Sequence, residues 1–137
     1  MKEELDKALV RDFPILYQDR FENCQQTCMC WGFENGDGWE PIIRKLSMKI
    51  ENVNNSLPKD EMPCVAVQVK EKYGMLKVYV NYGRDDIYKW IDEAEEESLN
   101  TCEVCGNIGK LRIKDGYWYK TLCDECKVEL KYNDIVK

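Results

Sequence analysis

The chain has 137 residues, enough for one domain or for a domain with a small appendage. It is 44% hydrophobic and 34% charged with a net charge of −6, so a core can form but the basic footprint needed on duplex nucleic acid is missing. It contains no histidine, which excludes Ser-His-Asp and Cys-His nucleophile systems and His-ligated catalytic zinc.

The predicted elements begin with short helices over residues 3–10 and 13–20, the second started by Asp12 and Pro14. Residues 1–20 lack the apolar stretch of a signal peptide, and no apolar run reaches the ~18 residues of a membrane span. The expectation is a cytoplasmic protein. Residues 21–38 follow as a long connection without clear periodicity, and connections of that length are often functional.

Within that connection lies "CMCWGFENGDGW". Gly36 and Gly38 allow close backbone approach to a ligand. Trp31, Phe33 and Trp39 can stack on a flat ring, and Asp37 can accept from a sugar hydroxyl. A plainer reading makes the aromatic residues core and the glycines a turn. Asp37 to Glu40 has the form of a capping box for a helix running to about Asn54. The apolar positions of that helix, Trp39, Ile42, Ile43, Leu46, Ile50 and Val53, share one face. A polar linker, "NNSLPKDEMP", comes next.

Residues 64–72 and 75–82 form the clearest hairpin, with Tyr73-Gly74 at the turn. Val65, Val67, Val69, Leu76, Val78 and Val80 should face the helices, because two strands alone are unstable. Lys70, Lys77 and Tyr79 fall on the other face. Residues 63–83 carry three lysines, Lys70, Lys72 and Lys77, against one glutamate, a basic island in an acidic chain. The lysines either attract an anion such as phosphate or protect an exposed edge. A helix from about Asp85 to Leu99 follows, with Ile87, Trp90, Ile91, Ala94 and Ser98 inward.

Cys102, Cys105, Cys123 and Cys126 stand in C-x2-C-x17-C-x2-C spacing. That is the pattern of a structural Zn2+ site with four thiolates and no open coordination position. Gly106 follows the first knuckle, where a positive φ is common. "LRIKDGYWYKTL" between the pairs reads as a hairpin turning at Asp115-Gly116, and a short helix follows the second pair. This is a zinc-ribbon or treble-clef layout. Cys24, Cys28, Cys30 and Cys64 are spaced more loosely; they are a second metal site or small buried thiols. The fold class is therefore α+β: a small sheet covered by helices over residues 1–100, with a four-cysteine module over 101–137 packed on it.

The blocks "WGFENGDGW", "VAVQVKEKYGMLKVYV", "AEEESLNTCEVCG" and "KTLCDEC", in that order, resemble a group of small proteins of tailed phages and prophages. The similarity runs from about Cys28 to Cys126. It implies an accessory protein made in a bacterial host cytoplasm, and it implies no activity. Asn35 stands where that group often has a cysteine. Three functions follow. The first is a non-catalytic binder that sequesters a small nucleotide-like ligand, such as a host immune signal. It would use Trp31, Phe33, Asp37 and Trp39 as one wall of a pocket and Lys70, Lys72, Lys77 and Tyr79 as the other. The second is a zinc-containing module that binds and inhibits a host protein. The third is a nucleotide-processing enzyme using carboxylates and lysines. Exposed hairpin edges also admit a homodimer.

Overall fold

The computed structural model describes residues 1–136 and shows an α+β protein with two small sheets and four α-helices among those residues. Helix α1 (Glu3–Asp12) has Glu3, Glu4 and Asp6 in its first turn and Arg11 in its last, complementing the helix dipole. The helix expected over 13–20 does not form; these residues make turns. Their backbone groups are taken by tertiary partners. Ile15 N and Leu16 N donate to the buried carboxylate of Glu51, at 2.8 and 2.9 Å. Leu16 O accepts from Ala66 N at 2.8 Å, so a carbonyl that a helix would use is already committed.

The first sheet has the order β1 (Phe33–Glu34), β2 (Val65–Lys72), β3 (Met75–Asn81). β1 comes from the connection expected to be irregular. It runs parallel to β2, with Phe33 opposite Val69 and Glu34 opposite Lys70. It gives the hairpin the third strand that a stable sheet needs. The β2–β3 turn holds Tyr73 and Gly74 at φ 53° and 84°, the left-handed pair of a two-residue hairpin loop.

Helices α2 (Glu40–Asn55) and α3 (Asp85–Ser98) cover one face of this sheet. The core contains Leu9, Phe13, Met29, Phe33, Trp39, Ile43, Ile50, Val69, Leu76, Ile87 and Ile91. The valine register holds for Val69, Leu76, Val78 and Val80, and breaks at the start of β2. A bulge between Ala66 and Gln68 puts Ala66, not Val67, into the core. Val67 is half-buried, and Val65 is buried outside the main cluster. The capping box also fails to form, with no side-chain cap at either Gly36 or Trp39. Asp37 instead accepts from Lys2 N at 2.8 Å, and Glu40 pairs with Arg44 at 2.7 Å.

The second sheet has the order β5 (Trp118–Leu122), β4 (Lys110–Lys114), β6 (Asn133–Asp134), all antiparallel. Helix α4 (Asp124–Glu129) starts directly after β5. A separate small cluster of Cys102, Leu122, Cys123 and Cys126 lies beneath it, with Tyr132 against its side. Among the described residues, no helix is long and apolar enough to cross a membrane.

Candidate metal centre and its seat

The four predicted cysteines converge. The Sγ atoms of Cys102, Cys105, Cys123 and Cys126 all lie within 4.8 Å of one another. Cys105 Sγ and Cys123 Sγ are 3.6 Å apart. A tetrahedron with metal–sulfur bonds of about 2.3 Å requires sulfurs about 3.8 Å apart, so the geometry fits a four-thiolate ion.

Local structure explains the convergence. Gly106 takes φ 82° and closes the first knuckle, where Gly106 N donates to Cys102 O at 2.9 Å. Cys123 is the N-cap of α4, and its sulfur accepts from Cys126 N at 3.4 Å. That backbone N–H lowers the Cys123 thiol to about 7, while loss of solvent pushes Cys126 upward. A bound cation would draw the protons off the thiols.

The seat of this centre is the glycine-aromatic segment expected to hold a ligand. Gly38 N donates to Glu103 O at 2.7 Å, and Gly36 N donates to the Glu103 carboxylate at 3.0 Å. Trp39 Nε1 donates to Thr101 O at 2.8 Å. A methyl group on Gly38 would run into the Cys102 carbonyl oxygen and the Gly106 nitrogen. The glycine does allow a close backbone approach, and what approaches is the first cysteine knuckle. Glu103, buried, also accepts from Lys120 Nζ at 3.2 Å. A second contact lies at the β2–β3 turn, where Thr121 Oγ1 donates to Gly74 O at 2.7 Å.

The predicted ligand residues divide accordingly. Trp39 is 0% exposed, and Phe33 is buried with its ring edge-on to Tyr17 at 4.9 Å. Asp37 is engaged with Lys2. Trp31 is open, at 67%, and lines a hollow of about 320 Å³ with Phe33, Asp6, Lys7, Arg20 and Phe21. That hollow adjoins α1. Lys70 and Lys77 face each other across β2 and β3 on the sheet's opposite face. The expected two-walled pocket is therefore split, because Trp31 and Phe33 meet beside α1 while the lysines lie on the sheet's opposite face. Lys77 reaches Glu95 of α3 at 3.3 Å, and Lys72 lies 5.9 Å from the Tyr73 ring. Tyr79 is exposed. The outer edge of β3 is also covered: Leu76 N donates to Ser98 Oγ and Val78 N to Glu95.

The looser cysteines do not gather into a metal cluster. Cys24 and Cys30 are joined as a disulfide with a Cα–Cα distance of 5.2 Å. Cys28 is exposed and free. Cys64 alone matches the buried-thiol reading, and burial raises it to about 12. Asn35 is buried, and its backbone carbonyl accepts from the Met1 ammonium at 2.6 Å.

Sequence reasoning missed one exposed feature. Tyr117 and Trp118, at the tip of the β4–β5 hairpin, are 65% and 56% exposed with ring centroids 5.3 Å apart. The string "GYWY" beside a turn is the signal that marks it. Read for the hairpin alone, that string says nothing of exposure.

The chain matches no protein-family model and no solved structure. It is similar to the tRNA (guanosine(18)-2'-O)-methyltransferase of Saccharomyces cerevisiae, with 26% identity over 137 aligned residues. The alignment covers 95% of this chain and 9% of that protein.

Proposed function

We propose that this is a non-catalytic binding protein whose C-terminal module is closed by a structural zinc ion and presents the contact surface for a protein partner. One observation carries the reading: Tyr117 and Trp118 stand exposed side by side at the tip of the metal-closed hairpin, whereas Phe33 and Trp39 are used in the core. Tyrosine and tryptophan are the residues most enriched among binding hot spots, and a hairpin pinned at its base loses little entropy on docking. Zinc is favoured over other ions by four thiolates in a closed tetrahedral arrangement. Four thiolates and one zinc ion contribute a charge of about −2, which favours a protein surface over a nucleic acid.

On the resemblance to tailed-phage proteins, the partner proposed is a host protein and the setting a bacterial cytoplasm. A homodimer would need an edge other than that of β3. Sequestration of a nucleotide-like ligand is a second reading, and it requires a site other than the divided pocket of Trp31 and the lysines.

The test is affinity capture from a host lysate with the wild type and with Tyr117→Ser/Trp118→Ser, followed by reconstitution with the purified candidate. The expected outcome is a stoichiometric complex lost in the double variant, with metal content and melting temperature unchanged. A complex that survives the double substitution overturns the assignment.

A further inference from the structure

Two adjoining hollows lie where the end of α2, the linker before β2 and the start of α3 meet. The first, about 290 Å³, is walled by Val53, Leu57, Met62, Tyr82 and Ile87. The second, about 550 Å³, is bounded by Lys49, Asn52, Ser56 and Trp90. Val53, Leu57, Glu61 and Arg84 line both, so the two are halves of one groove. Its size falls in the range of small-molecule sites.

We propose that this groove binds a 5′-mononucleotide, with the base in the first hollow and the phosphate in the second. The chemistry of the walls differs between the two hollows. Val53, Leu57, Met62, Tyr82 and Ile87 make the first largely apolar, Lys49, Asn52 and Ser56 belong to the second alone, and Arg84 stands on the wall they share. A base fits the first, and a phosphate fits the second between Lys49 and Arg84. Glu61, on the shared wall, is an acceptor for a ribose hydroxyl.

Three details support a built site. Tyr82, directly after β3, lines the first hollow. Its ring is 60% exposed at the first hollow, available for stacking. Arg84 reaches both hollows and pairs with Asp86 through Nε at 3.2 Å and Nη2 at 2.7 Å. Lys49 lies 5.9 Å from the Trp90 ring centroid, and among the described residues no carboxylate pairs with it. It can turn to a phosphate without breaking an ion pair. The groove is built from residues 49–90, so it stands apart from the β4–β5 hairpin and does not depend on the reading above.

The test is calorimetric titration of the full chain with adenosine 5′-monophosphate, alongside inorganic phosphate and indole-3-acetate, with amide chemical shifts to locate the site. Saturable binding of the mononucleotide is expected, with shifts at residues 49–57 and 82–87. Lys49→Glu, at an exposed helix position, should weaken it about tenfold or more without changing the melting temperature. Arg84→Ala should act in the same direction, and Trp118→Ser should have no effect. Three outcomes would overturn the proposal: no saturable binding at millimolar mononucleotide, equal binding of phosphate or indole-3-acetate, or undiminished affinity in Lys49→Glu.

Discussion

The segments Cys28–Trp39 and Lys110–Leu122 contain similar ingredients and use them in opposite ways. Each has three aromatic residues and an Asp-Gly pair, Asp37-Gly38 in one and Asp115-Gly116 in the other. In the first, Phe33 and Trp39 are buried and Gly38 lies against the Cys102 carbonyl, so the segment receives the metal module. In the second, Tyr117 and Trp118 stand out from a turn where a methyl group added to Gly116 would meet nothing within 4 Å. Glycine beside aromatic residues therefore marks a close approach in one place and a free turn in the other. What separates them is the third partner. Trp39 has the Thr101 carbonyl to satisfy its indole N–H inside, a requirement for burying tryptophan, whereas Trp118 is left facing solvent.

The largest way to break this comparison is to remove the metal. Cys105→Ser, or chelation, should unfold residues from about 101 onward, because a structural zinc ion contributes roughly 10 kcal/mol or more to a unit of this size. Metal content and near-ultraviolet dichroism would report it. Cys28→Ser, in the other cysteine group, should leave metal content unchanged. The next effect is Trp39→Ala, which removes a fully buried ring and should cost about 3–5 kcal/mol in a urea titration. Trp118→Ser should stay within about 0.5 kcal/mol of wild type, so the two tryptophans give the sharpest contrast.

Gly38→Ala comes third. The added methyl must displace the Cys102 carbonyl, and overpacking of this kind costs about 1–3 kcal/mol. Faster metal loss to a chelator should accompany it, which an ordinary core defect would not produce.

The last effect concerns pH and appears only above pH 9. Burial raises Cys64 to about 12 from an ordinary value near 9. Between those values the unfolded chain has lost this proton and the folded chain has kept it. Its contribution is thus complete below pH 9 and is lost as pH rises toward 12, at up to about 1.4 kcal/mol per pH unit. Cys64→Ala should flatten this part of the stability profile. Tyr17, also raised by burial, leaves a residual slope at higher pH.

Features set by local pattern were legible in the sequence. Helices α2 and α3 follow from their apolar spacing, both tight turns from their Xaa-Gly pairs, and the four metal ligands from two C-x2-C pairs. Features set by distant partners were not. Strand β1 is two residues long and exists only by pairing with β2. Residues 13–20 look helical until Glu51 and Ala66 claim the backbone at 15 and 16. The bulge near Val67 shifts a register that strict alternation would have continued. The groove beside Arg84 draws on α2, the linker, the β3–α3 connection and α3, whose chemistry is ordinary in each piece alone.

The most direct test of the central claim, that the glycine-aromatic segment is the seat of the metal module, is amide hydrogen exchange before and after stoichiometric chelation. Gly38 N–H and the Trp39 indole N–H should lose protection together with Glu103, since their acceptors belong to residues 101–103. The amides of Val69 and Val78 in the sheet should stay protected. Unchanged protection at Gly38 and Trp39 in the metal-free protein would contradict it.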